Sequence, residues 1–136
     1  MAATSTGMTR KNAIRSGHRM HRLYRATINT WHGLCAAARS EAAFRQELVL
    51  LALAVPLAFW VGQSAWTRLA LIGIVVFVMV VELLNTAIEK LADRVTREID
   101  PQIGWVKDMG SAAVALSLLI AGAVWLVAFA DRLGLI

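Results

Sequence analysis

The chain has 136 residues, 58% of them hydrophobic, with 14 Lys or Arg against 9 Asp or Glu, a net charge of +5 and a single Cys. That length suits one domain, the mean hydropathy of +0.60 is above that of an ordinary globular domain, and one cysteine excludes an internal disulfide framework. No aromatic-interleaved basic fold accompanies the positive charge, so the basic balance points to a membrane surface and not to nucleic acid.

In chain order, residues 1–20 read as a flexible basic N-terminus, with residues 1–9 disordered. They hold no apolar h-region, which argues against a cleaved signal peptide and for direct insertion. From about 21 to 39, Tyr24, Ile28, Trp31 and Cys35 recur at helical spacing among basic and polar residues. This predicts an amphipathic surface helix lying against anionic headgroups.

Three apolar windows follow: Leu48 to Thr67, Leu69 to Ile88 and Met109 to Ala130. Each has about 20 residues, the length that spans a hydrocarbon layer of roughly 30 Å. The first and third contain no charged residue and the second only Glu82, whereas a soluble helix bundle keeps a wet face on every helix. The predicted spans are about 42–61, 64–98 and 106–130, within a single membrane domain over 21–136. Pro56 falls inside the first span, the stretch from Trp60 to Trp66 turns the chain, and Pro101 and Gly104 act as breakers before the third span.

Charge placement predicts the orientation. From Arg10 to Arg45 there are eight basic residues against Glu41 as the only acid, and the second connection carries Lys90, Arg94, Arg97 and Lys107. The first connection has only Arg68 and the tail only Arg132. The positive-inside rule then puts the N-terminus and second connection in the cytoplasm, and the short turn and C-terminus outside.

The chemistry concentrates in the second span. Glu82, Asn85, Glu89 and Asp93 are three, four and four residues apart and share one face of one helix. A carboxylate in a hydrophobic span costs about 2.5 kcal/mol or more on insertion scales, so such a stripe marks a functional site by default. Two flanking clusters are expected at the same depth. One is Ser40-Glu-Ala-Ala-Phe-Arg-Gln-Glu47 before the first span, where Glu41 and Arg45 are also spaced as an ordinary salt bridge. The other is Lys107-Asp-Met-Gly-Ser111 at the start of the third, which alone reads as a helix entry with anchor charges. Together they hold carboxylates suited to Mg²⁺, an acid able to take a proton, and cations for phosphates, the inventory of phosphoryl transfer. No Gly-rich phosphate loop or kinase Asp-Phe-Gly is present, which excludes a soluble nucleotide-binding fold. Two other readings stay open: a structural polar network in a non-enzymatic small membrane subunit, and a polybasic membrane anchor.

Three blocks carry a family resemblance: Glu41-Ala-Ala-Phe-Arg-Gln-Glu47, Glu82-Leu-Leu-Asn-Thr-Ala-Ile-Glu89 with Asp93-Arg94, and Lys107-Asp-Met-Gly-Ser-Ala-Ala113. In order and spacing they resemble the prokaryotic diacylglycerol kinases. The resemblance implies an all-α membrane protein of the bacterial inner membrane, with one surface helix and three transmembrane helices, forming a homotrimer whose sites lie at subunit contacts. It implies γ-phosphoryl transfer from Mg²⁺-bound ATP to the free hydroxyl of diacylglycerol, giving phosphatidic acid, with undecaprenol as the alternative acceptor in the same fold. By the same resemblance Glu82 is the general base, oriented by Asn85, and Glu41 and Glu89 hold the magnesium. Arg22, Asn29, Glu98, Ile99, Asp100, Lys107 and Asp108 are nucleotide contacts. Trp31, Ala43, Phe44, Arg45, Gln46, Glu47 and Ser111 are implied on the lipid substrate. The chain departs from the family pattern at Asn29-Thr30 before Trp31, where an aromatic and a serine are usual.

Overall fold

A computed structural model describes residues 5–96, 98 and 100–136, with side chains from residue 21 on. The described residues form four α-helices and no strand: α1 (Ser5–Ser40), α2 (Ala42–Val61), α3 (Ala65–Val95) and α4 (Pro101–Arg132). The all-α class expected from the hydrophobic pattern is what the backbone shows. The chain divides into two compact units, α1 and the segment Glu41–Ile136.

In the first unit α1 extends upstream of residue 21, where the amphipathic pattern placed its start. No proline interrupts it from Ser5 onward, so nothing in that stretch breaks the backbone ladder. Disorder is the sequence expectation for residues 1–9; residues 5–9 belong to α1, and residues 1–4 lie outside the described residues. Leu23, Tyr24 and Trp31 are exposed along the helix. Thr27 and Thr30 donate their hydroxyls back to the carbonyls of Leu23 and Ala26, at 3.1 and 2.9 Å, so these polar groups are satisfied within the helix.

In the second unit α2, α3 and α4 are 20, 31 and 32 residues long, and all three are long and apolar enough to cross a membrane. α3 is the central element, packed along both α2 and α4, while α2 and α4 meet only near one end. Buried positions on α2 and α4 are largely small, Ala54, Ala58, Gly110, Ser117 and Ala128, and face the larger Leu71, Val75, Val78 and Met79 buried on α3. Large side chains such as Leu53, Phe77, Leu84, Leu119 and Leu126 point outward. In lipid, outward leucines cost nothing, and helices associate where small residues let their backbones close.

The end that carries the α2–α3 turn is held by Ala58, Val61, Leu71 and Ala128, with Trp125 and Phe129 against them. Arg68 Nε donates to the Gly62 carbonyl at 2.9 Å, and its guanidinium lies 5.4 Å from the Phe59 ring centre. Arg132 similarly sits 5.9 Å over Trp60, which packs edge-on against Phe129 at 6.1 Å. Ser64 caps α3 by accepting from the Thr67 N–H at 3.0 Å. At the opposite end α3 stops at Val95, three residues short of the expected 98, and α4 starts at Pro101, five before the expected 106. Pro101 is the first residue of the helix and not its breaker: Asp100 accepts from the N–H groups of Gln102 and Ile103 at 2.7 and 3.3 Å. A proline at that position has no N–H to leave unpaired.

Candidate functional site

α3 passes Glu82, Asn85, Glu89 and Asp93 down the face between its two neighbours, at the end opposite the aromatic turn. The expected stripe is therefore real, but its members differ in surroundings. Asn85 is buried, at 8% exposure, whereas Glu82 and Glu89 are half-buried and Asp93 is exposed. Asn85, which the resemblance implies as the residue orienting Glu82, donates from Nδ2 to Glu89 Oε1 at 3.1 Å instead, one helical turn further on. Its Oδ1 is buried with no hydrogen-bond partner among the described residues.

Each neighbouring helix contributes to this face. From α2, Glu41 stands at the N-cap position with its carboxylate Oε1 2.7 Å from Lys90 Nζ of α3. Glu41 and Glu89 both act electrostatically on Glu82, so three carboxylates share one locality. Glu47, two turns into α2, is a fourth within electrostatic reach of Glu82, and its Oε2 is buried without a partner. From α4, Lys107 Nζ meets Asp93 Oδ1 at 2.5 Å. Asp93 thus pairs with a cation 14 residues away, because antiparallel packing brings the start of α4 beside the end of α3. Arg97 lies outside the described residues. Gly110, on the buried face of α4, lies against the Asn85 side chain.

The remaining expected residues are more scattered. Asp108 and Ser111 are exposed on α4 near Lys107 and Gly110, and Ala43, Arg45 and Gln46 are exposed on the first turns of α2. Phe44, expected on the substrate, is 2% exposed, so in this state its ring serves packing and offers a ligand no surface. Glu98 is exposed between α3 and α4, its N–H donating to Thr96 Oγ1 at 3.0 Å, and Asp100 is engaged as the α4 cap. Ile99 lies outside the described residues. Arg22, Asn29 and Trp31 are exposed on α1, in the other unit.

Two residues were missed at the sequence level. Lys90 stands eight positions from Glu82, about 80° around the helix, which was enough to place it beside the stripe. Gly110 was read only as part of a helix entry; an isolated glycine inside a helix, which costs about 1 kcal/mol against alanine, was the available signal.

Among the described residues no three His, Cys, Asp or Glu side chains are grouped to enclose a metal ion. Mg²⁺ keeps several waters and is held by one or two carboxylates together with substrate phosphates. Glu41 and Glu89, both within electrostatic reach of Glu82, are carboxylates of the type such a site would use.

Comparison with known proteins identifies the family. The family profile described as prokaryotic diacylglycerol kinase matches residues 28–129. The chain is 41% identical to a diacylglycerol kinase of Escherichia coli K12 over 134 residues, covering 98% of this chain and 100% of that protein. It is 40% identical to a diacylglycerol kinase of Pseudomonas aeruginosa over 106 residues, 78% of this chain and 86% of the other. It is 39% identical to one of Haemophilus influenzae over 103 residues, 76% and 87% respectively. The matched region contains the α2 entry, the α3 stripe and the α4 entry, and with three helices able to cross a bilayer the chain belongs to the prokaryotic diacylglycerol kinase family.

Proposed function

We propose that this chain is an ATP-dependent diacylglycerol kinase of the bacterial inner membrane whose transfer site is the seam where α3 meets the first turns of α2 and α4. The observation that carries the reading is the convergence on one α3 face of Glu82, Asn85 and Glu89 with Glu41 from α2 and Lys107 from α4. Three acidic groups at one place in an apolar helix unit are expensive unless they act on a proton or a cation.

In this reading the diacylglycerol hydroxyl approaches Glu82 from the lipid side. Its oxygen bonds to the γ-phosphorus of ATP, the bond to the β,γ-bridging oxygen breaks, and the hydroxyl proton passes to the Glu82 carboxylate. Phosphatidic acid and ADP leave. The step needs a proton acceptor beside the incoming hydroxyl, and Glu82 takes that role. Asn85 fixes the Glu89 carboxylate through its Nδ2. Glu41 and Glu89 would hold Mg²⁺, which when bound supplies neutralisation of the phosphate charge. Seven residues separate Glu82 from Glu89, about 10 Å along the axis, so the proton acceptor and the cation position are neighbours and not one site. Lys107 and Asp108 meet the nucleotide, with Glu98 to Asp100 near its far end. Ser111 and the exposed residues of the α2 entry, Ala43, Arg45 and Gln46, meet the lipid, with Glu47 beside them. For α1, described by itself, the family resemblance implies nucleotide contacts at Arg22 and Asn29 and a lipid contact at Trp31.

The orientation follows the charge bias, with the N-terminus and the α3–α4 connection cytoplasmic, where ATP is, and the C-terminus outside. The assembly is a homotrimer with sites at subunit contacts. Family membership supports this.

The test is transfer of label from γ-labelled ATP by the purified chain in mixed micelles, offered diacylglycerol or undecaprenol. Label in phosphatidic acid is the expected result. Label confined to polyprenyl phosphate would overturn the acceptor, and near-normal turnover by Glu82→Gln would remove Glu82 as the base.

A further inference from the structure

Gly110 differs from Gly33, Gly73, Gly104 and Gly122, which are also helical. A Cβ built at Gly33, Gly73, Gly104 or Gly122 meets open space. One built at Gly110 overlaps Asn85 Oδ1 outright and stands 3.2 Å from Asn85 Cγ and 3.9 Å from Asn85 Cβ. The three nearest atoms all belong to one side chain, so the missing methyl is matched to that residue and not to general helix packing. A buried mid-helix glycine costs about 1 kcal/mol against alanine, which makes its presence here informative.

The side chain it receives is held at both ends of its carboxamide. Nδ2 is committed to Glu89 Oε1 at 3.1 Å, and Oδ1 faces the α4 backbone at Gly110 with no hydrogen-bond partner. A rotation or shift that relieved contact at Oδ1 would move Nδ2 away from Glu89, because the carboxamide is rigid and planar. The same seam carries the Lys107–Asp93 contact, three residues earlier on α4.

We infer that Gly110 is a positioning residue for phosphoryl transfer: its bare Cα is the seat against which the Asn85 carboxamide is pressed, so that Nδ2 holds the Glu89 carboxylate in its cation-binding orientation. This rests on the reading of Glu89 as a magnesium holder. Gly110 touches neither substrate nor ion. It acts through Asn85, and α4 thereby sets the geometry of a carboxylate on α3. Outer partners that orient a metal-holding group typically contribute about 10- to 100-fold in affinity, which sets the size of the expected effect.

The experiment measures Mn²⁺ affinity by electron paramagnetic resonance of the free ion, on the full chain in micelles with a non-hydrolysable ATP analogue. Parent, Gly110→Ala, Asn85→Ala, the double variant and Glu89→Gln are compared. Gly110→Ala is expected to weaken Mn²⁺ binding about 10-fold. In the Asn85→Ala background the same change should do nothing further, because the group it displaces is gone. Parent-like affinity in Gly110→Ala, or an equal loss from it in both backgrounds, would overturn the inference. Should Gly110→Ala alone not be recovered folded, Asn85→Ala is compared with the double variant: equal affinities support the seat, and a further fall overturns it. Glu89→Gln separates the two levels. If it leaves affinity unchanged, the site reading fails and the inference with it. If it weakens binding while Gly110→Ala does not, only the inference fails.

Discussion

Asn85→Ala distinguishes a functional stripe from a polar network that merely joins helices. The substitution removes the 3.1 Å bond from Nδ2 to the Glu89 carboxylate, and a bond to a charged acceptor contributes about 1.5–3 kcal/mol. It also removes Oδ1, a buried acceptor without a partner, whose desolvation costs about 1–3 kcal/mol. The two nearly cancel, and the small void left beside Gly110 adds about 1 kcal/mol of destabilisation. The expected net loss is about 1 kcal/mol, in keeping with side-chain hydrogen bonds inside membrane proteins, which average about 0.6 kcal/mol. Binding should respond differently. With Glu89 no longer held, Mn²⁺ affinity should fall about 10- to 100-fold, and turnover at fixed Mg²⁺ should fall with it. The assay pairs reversible unfolding in mixed micelles with metal titration on the same preparation. A stability loss above about 3 kcal/mol with metal affinity intact would refute the reasoning and make Asn85 a structural joint.

Three further outcomes follow from the geometry. Lys90→Gln removes the cation lying 2.7 Å from Glu41 Oε1, so binding of Mn²⁺ without nucleotide should tighten about five-fold, measured by titration; weaker binding would show that Lys90 does not compete with the ion. Gly62→Ala places a Cβ 2.8 Å from the Ala58 carbonyl oxygen and 2.7 Å from Arg68 Cγ. It should destabilise the chain by about 1–3 kcal/mol in micelle unfolding while turnover per folded molecule stays at the parent value. Asp100→Ala removes a side chain that caps two N–H groups of α4, and should cost about 1 kcal/mol in the same unfolding assay, with Asp100→Asn recovering most of it.

Much of this protein is legible in its sequence because a bilayer imposes a one-dimensional rule: about 20 apolar residues span it, and a charge inside it is costly. Three apolar windows in 136 residues therefore determine three crossing helices, and the 3.6-residue period alone puts Glu82, Asn85, Glu89 and Asp93 on one face. The motif blocks, read in order, carried the family. Local competition between residues was harder to read. Pro101 serves equally as breaker or as first helical residue, and only the Asp100 side chain turned onto two N–H groups decides for the latter. What tertiary structure alone decided are the partners across helices: Glu41 with Lys90, Asp93 with Lys107, and Asn85 with the bare backbone of Gly110. Those pairs depend on the rotation and register of packed helices. Helix packing is set by the sum of many small side-chain contacts over the whole seam, and no local stretch of sequence contains that sum.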